Sequence, residues 1–134
     1  MTIAVSELQV LWAASVATSI AAGGNSTSDA LTVSAEAIDL TIVCKADNQG
    51  SANVSDQVDA YVLYSVGDPD GSGTIEYVST GHAVFIGRMD TTIEEPALIT
   101  GRLNPNVQSL KIYAVNNSTA RSMTFSATMQ QKTG

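Results

Sequence analysis

The chain has 134 residues, enough for one domain with a core that hides about two-thirds of the surface exposed by the unfolded form. Six Lys and Arg stand against thirteen Asp and Glu, a formal net charge of −7, which argues against a phosphate-binding surface, so no nucleic-acid partner is expected. Charged residues are only 14% of the chain, so Ser, Thr and Asn supply the polar surface, and a single cysteine, Cys44, excludes a disulfide framework and fits a reducing compartment.

Residues 1–24 read as an N-terminal arm or edge strand. LWAASVATSIAAGG has the apolar character of a signal-peptide core, but its flank MTIAVSE carries Glu7, and no Lys or Arg precedes Lys45, so no secretory signal is expected. No apolar run is long enough to span a bilayer, and no membrane partner is expected. In ELQVLWAASVA (7–17), Leu8, Leu11, Trp12 and Ser15 have helical spacing, whereas Val10, Trp12 and Val16 suit an edge strand; both readings stay open. Leu11 and Trp12 are the candidate interface residues. A Trp ahead of the Gly23-Gly24 break either anchors the arm on the domain's own core or supplies binding energy at a neighbour.

Beyond the arm the dominant signal is a two-residue period, which means strands with one face on a core and one face wet. A short strand is expected at 29–34, after the turn-former GGNSTSD (23–29). AIDLTIVCK puts Ile38, Leu40, Ile42 and Cys44 on one face, so Cys44 reads as a small buried hydrophobe and not as a nucleophile or ligand. After ADNQGSANVSD (46–56), QVDAYVLYSV lines up Val58, Ala60, Val62, Tyr64 and Val66. GDPDGSG (67–73) follows, then short strands near 82–89 and 97–103, and the turn NPN (104–106). SLKIYAV sets Leu110, Ile112 and Ala114 opposite Lys111, Tyr113 and Val115; NNSTAR (116–121) turns the chain; SMTFSATMQ alternates Met123, Phe125, Ala127 and Met129 with Ser and Thr. The expected architecture is all-β: a single antiparallel two-sheet β-sandwich, jelly-roll-like, with about eight strands and no helix, occupying 1–134 as one domain.

The candidate chemistry is sparse. GDPDGSGTIEYVS (67–79) begins like an EF-hand loop, with Asp68, Asp70, Ser72 and Gly73 in place, Thr74 offering a carbonyl and Glu76 acting through water. The closing bidentate carboxylate is missing, because Ser79 stands there, and the flanks alternate as strands; the expectation is a strand connector, with weak calcium binding at Asp68 and Asp70 left open. His82 is the only histidine, and Asp70, Glu76 and Asp90 are its neighbours in sequence only. Glu94 and Glu95, adjacent before Pro96, point to opposite sides of an extended chain and make no catalytic couple. The Asn-x-Ser/Thr triplets at Asn25, Asn53, Asn116 and Asn117 read as by-products of composition. Tyr61, Tyr64, Tyr77 and Tyr113 are the aromatic residues available for a sugar-stacking surface, against their commoner role in packing. No enzyme activity, catalytic residue, cofactor or metal is expected.

VDAYVLYSVGDPDGSGTIEY, GHAVFIGRMDT and SLKIYAVNNSTARSMTFSATM together resemble the small all-β head decoration, or cement, proteins of tailed bacteriophages, over roughly residues 57–129, with a weaker echo in SIAAGGNSTSDALTVS. The resemblance lies in strands and turns, so it transfers no ligand or catalytic residue. It implies a structural virion protein on the outer surface of the capsid, assembled in the bacterial host cytoplasm, which stabilises the shell by bridging major capsid subunits. The implied partners are the major capsid protein and further copies of the chain, as a dimer or trimer. The alternative is a carbohydrate- or receptor-binding module of a phage tail or adhesin.

Overall fold

The computed structural model describes residues 2–48, 56–93 and 95–134. Eleven β-strands and one short 3-10 turn occur among them, with no α-helix. In chain order the strands are β1 (Ala4–Gln9), β2 (Thr18–Ile20), β3 (Asn25–Thr27), β4 (Leu31–Thr32), β5 (Ala37–Asp47) and β6 (Gln57–Gly67). There follow β7 (Glu76–Tyr77), the turn Thr80–His82, β8 (Val84–Asp90), β9 (Ala97–Leu103), β10 (Ser109–Asn116) and β11 (Met123–Thr133). The first sheet runs β1-β11-β5-β9, with β2 also on β11; the second runs β3-β10-β6-β7, with β4 on β10 and β8 on β6. All recorded pairings are antiparallel.

The four long alternating segments became β5, β6, β10 and β11, and their apolar faces form the core. Ile42 pairs with Met129 and Cys44 with Ala127 in the first sheet; Val62 pairs with Ile112 and Ala60 with Ala114 in the second. All of these are at most 3% exposed, which is what two inner faces packed against each other require. Alternation failed at two positions for the same reason. Ile38 is 53% exposed because the β5–β11 ladder shifts register at Lys132/Thr133, and Val66 is 53% exposed because it is the extra residue where β6 shifts between Ser65 and Gly67. A one-residue bulge moves a side chain to the other face.

More strands formed than the eight expected, since short ladders escape a periodicity search. GGNSTSD contains β3, and the segment 29–34 contracts to β4. The ambiguous stretch 7–17 is not helical. It runs as β1 along β11, continues through Val10, whose N–H donates to the Ala127 carbonyl, and then makes a tight turn closed by Trp12 and Ser15. Ala13 (φ 48°) and Ala14 (φ 68°) occupy the left-handed region there, and their N–H groups each donate to the Asp29 carboxylate at 3.2 Å. β2 then rejoins the same edge of β11.

At the opposite margin β8 and β9, one from each sheet, pack side by side. A Cβ on Gly87 would lie 2.8 Å from Ile99 Cδ1, and one on Gly101 2.9 Å from Ile86 Cγ2. Glycine is what lets the two sheets close along this seam. Gly101→Val is therefore expected to lower unfolding free energy by about 1–3 kcal/mol, the usual cost of overpacking, read from urea denaturation; a wild-type midpoint would refute the close approach.

Candidate functional site

The sequence candidates do not converge. Trp12 is buried, at 6% exposure, with its ring edge-on to Phe125 at 5.4 Å, so of its two open roles the structure realises packing on the domain's own core. Little of it remains for a partner, while Leu11 is half-buried beside it. Cys44 is fully buried between core strands, and burial pushes its thiol up to about 12, which leaves it uncharged and unreactive in the folded chain. His82 is exposed and its Nδ1 meets the Ser79 hydroxyl at 3.0 Å, a contact within the 3-10 turn. Of the Glu94-Glu95 pair, Glu94 lies outside the described residues; Glu95 Oε1 accepts from the Asn48 N–H. Asn53 also lies outside them.

The GDPDGSG segment connects β6 to β7 and is closed by its own backbone. Asp68 Oδ2 accepts from the Gly73 N–H at 2.7 Å, and Oδ1 accepts from the Ser72 N–H and hydroxyl. Ser72 N–H also donates to Asp70 Oδ1 at 3.1 Å. Gly73 can turn inward toward Asp68 because it adopts φ 92°. The hydroxyl and N–H of Ser72 hold the Asp70 carboxyl below its ordinary range. These carboxylates thus serve as loop fasteners, and no group of three or more His, Cys, Asp or Glu able to hold a metal occurs among the described residues.

Two polar constellations emerge that sequence reasoning did not single out. The first is internal. Asp56, fully buried ahead of β6, accepts from the Ser118 hydroxyl at 2.7 Å and from the Asn48 amide at 3.3 Å. Arg121 Nε sits 3.1 Å from Asp56 Oδ2, as an ion pair whose N–H is not aimed along the contact. Thr91 donates both its N–H and its hydroxyl to the Asp56 carbonyl. Asn116 is buried too, and its amide nitrogen donates to the carbonyls of Ile20, Ala21 and Arg121. The NNSTAR turn is the joint that ties the end of β10 to two other strand connections, β2–β3 and β5–β6.

The second lies on the outer face of the second sheet. Tyr61 pairs across the ladder with Tyr113 on β10 and Phe85 on β8, and the ring centroids stand 5.8 and 5.4 Å apart. Two residues along β6 on the same face, Asp59 receives both Arg88 Nε (2.6 Å) and Nη2 (2.9 Å), and the Asn117 amide adds a bond at 2.9 Å. The Arg88 bond, helped by Asn117, holds the Asp59 carboxyl below the usual range against the opposing effect of burial. On the other side of the rings, Lys111 Nζ lies 4.5 Å over the Tyr77 ring, and Tyr77 shares a 2.7 Å bond with Ser109. Tyr64 belongs to the inner face and accepts from the Asn104 N–H. The available signal was positional: Asp59 and Tyr61 sit on the wet face of β6, two apart, and Tyr113 on the wet face of β10.

A third feature borders the seam. Arg88, Met89, Asp90, Ile93, Leu98 and Ile99 help line a shallow groove of about 190 Å³. Ile93 is 85% and Leu98 52% exposed, unusually wet for their type.

Arg121→Ala removes the cation 3.1 Å from the buried Asp56 carboxyl, so a loss of about 3 kcal/mol is expected in denaturant unfolding. Arg102→Ala, at an exposed pair 4.0 Å from Asp39, is expected to cost under about 1 kcal/mol. Because its folded pKa is depressed, Asp59 contributes stability above its unfolded pKa of about 4 and loses it as pH falls through the lower folded value. Between about pH 5 and 2, Asp59→Asn should flatten the acid-side fall in the urea midpoint; an unchanged slope would exclude that contribution.

No family model matches the chain, and no curated protein matches it. Among solved structures, the fold is similar to the infectious bursal disease virus VP2 subviral particle, with TM-score 0.52 and 15% identity over 98% of this chain and 33% of that one. It is also similar to the structure of the same virus's Gx strain, with TM-score 0.50 and 13% identity over 99% and 33%. The CBM22-2 xylan-binding domain of Paenibacillus barcinonensis Xyn10C aligns at TM-score 0.48 and 7% identity, over 88% and 87%. The chain thus spans about a third of the length of the viral chains it matches. At these identities the likeness is one of fold, and it agrees with the strand pairings: a jelly-roll-like β-sandwich.

Proposed function

We propose that the chain is a structural virion protein that decorates a tailed-phage capsid and stabilises it by bridging major capsid subunits. The supporting observation is the β8–β9 seam. Two sheet margins meet there, and Ile93 and Leu98 stand exposed around a groove whose rim holds Arg88 and Asp90. An apolar anchor with a rim of both charges is the anatomy of a protein interface. Modest contacts of this size become strong when each copy engages several subunits of a lattice. The net charge of −7 keeps a densely decorated surface soluble and suits basic loops on the shell. The residues behind the resemblance to decoration proteins form β6, β7, β8, β10, the NNSTAR joint and β11, and so maintain the fold that presents this seam.

A carbohydrate- or receptor-binding module of a phage tail or adhesin is the second reading, favoured by the row of Phe85, Tyr61 and Tyr113.

The capsid reading is tested by adding purified protein to undecorated phage heads and measuring retention and resistance to heat. Binding that raises the disruption temperature is expected, with loss of about tenfold or more in affinity for Ile93→Asp combined with Leu98→Asp. Heads that neither retain nor gain stability from the wild-type protein would overturn it.

A further inference from the structure

The chain is poor in aromatic residues, with two Phe, four Tyr and one Trp, yet it places Phe85, Tyr61, Tyr113 and Tyr77 together on the outer face of the second sheet. Trp12 and Phe125 suffice for the core. Phe85 is 56% exposed, and Tyr61 and Tyr113 are half-exposed. The hydroxyls of Tyr61 and Tyr113 have no hydrogen-bond partner among the described residues.

The groups beside the rings determine what such a strip fits. Asp59 is 6% exposed, and its carboxylate takes three bonds from Arg88 and Asn117, out of about four a carboxylate accepts. Arg88 uses only part of its five-donor fork there, and Asn117 keeps its carbonyl oxygen. Donors and acceptors with capacity left thus stand together, locked in place by one another, next to apolar ring faces. A vicinal diol needs that combination, because each hydroxyl both donates and accepts, while the C–H face of a pyranose stacks on an aromatic ring. The rings follow one another at 5.4 and 5.8 Å, close to the length of one sugar unit, in edge-to-face and tilted contact with their neighbours. The face is open and has no deep pocket, so it fits a chain and not a single sugar. Its charges are paired at Asp59–Arg88, which favours a neutral ligand over an anionic one.

We propose that the outer face of β8, β6 and β10 binds a neutral oligosaccharide chain, with Phe85, Tyr61 and Tyr113 stacking on its pyranose rings and Asp59, Arg88 and Asn117 bonding its hydroxyls. The proposal rests on the second reading for its ligand class; the ring row and the β8–β9 groove are adjoining surfaces that share Arg88.

The test titrates isotope-labelled full-length chain with cellohexaose, mannohexaose and chitohexaose, each to about 10 mM, and follows amide shifts. At least one is expected to bind with shifts centred on residues 59–63, 84–88 and 111–117. Phe85→Ala and Tyr61→Ala should each weaken it about tenfold, and Phe85, being exposed, can be removed without disturbing the core. Shifts centred elsewhere, or binding indifferent to both substitutions, would overturn the site while leaving the second reading standing. No shift with any of the three would overturn the proposal and reduce the second reading to its receptor-binding half. Release of Phe85→Ala from phage heads, without oligosaccharide binding, would assign the face to a protein and likewise overturn the proposal.

Discussion

The buried carboxylate of Asp56 is the constraint on which the arrangement of strands depends. The core is built largely from small or interchangeable side chains: Ala46, Ala60, Ala97, Ala114, Ala127 and Cys44 sit among Val, Ile, Leu and Met. An alternating strand with such a face tolerates a two-residue slip, since every side chain stays on its side and little shape is lost. Asp56 does not tolerate it. Its ion pair with Arg121 and its bonds from Ser118 and Asn48 hold the start of β6, the entry to β11 and the exit from β5, and Thr91 adds the exit from β8. A buried ion pair adds little net stability over a well-packed apolar substitute, but any misregistered alternative leaves its charge unpaired and becomes costly. The cluster therefore acts as a register key for both sheets.

Register in turn decides what the outer faces present. Because Ala60 faces Ala114 inside, Tyr61 must face Tyr113 outside, one step along the same ladder. The same alignment, carried across β8 with one bulge between Ala60 and Tyr61, sets Phe85 against Tyr61 and Arg88 against Asp59. The row of rings and the bidentate pair beside it thus follow from the joint at the end of the sandwich. What the outer face presents and the stability read from the interior are linked through the pleat.

Long-range alternation was legible in the sequence because it reports a half-buried strand directly: β5, β6, β10 and β11 stand where the two-residue period put them, and the sandwich class followed. Ladders of two or three residues, such as β3, β4 and β7, leave no periodic trace, and bulges at Lys132/Thr133 and Ser65/Gly67 depend on the partner strand, so Ile38 and Val66 misled. The candidate site was legible only in fragments. Tyr61 and Tyr113 were visible as aromatic residues on wet faces, but their convergence with Phe85 needs the strand order β10-β6-β8, which no local pattern encodes. Asp56 and Arg121 read as ordinary turn residues; their burial is a tertiary fact. The acidic loop was legible as a strand connector, since it links β6 to β7, and the bonds from Ser72 and Gly73 show how its aspartates close it.

The margins of the sheets explain how such a protein stays discriminating toward partners. An uncovered strand edge invites pairing with any other chain. Here β11's margin is covered by β1 and β2, with the turn at Ala13 and Ala14 held out of line by Asp29, and β4 and β7 are too short to template a new strand. The margin at β8 and β9 is used up by the opposite sheet through Gly87 and Gly101, while β1 and β3 remain as edge strands. What the seam leaves accessible is therefore side-chain surface, Ile93 and Leu98 above all, and recognition there depends on shape and charge at the rim rather than on backbone pairing. A partner must bring a complementary surface, which is a stricter demand than an unpaired strand, and the low charge density of the chain makes that complementarity a matter of a few residues. Arg88 belongs to both the groove and the ring face, so a ligand that draws its guanidinium away from Asp59 would be felt at the groove as well.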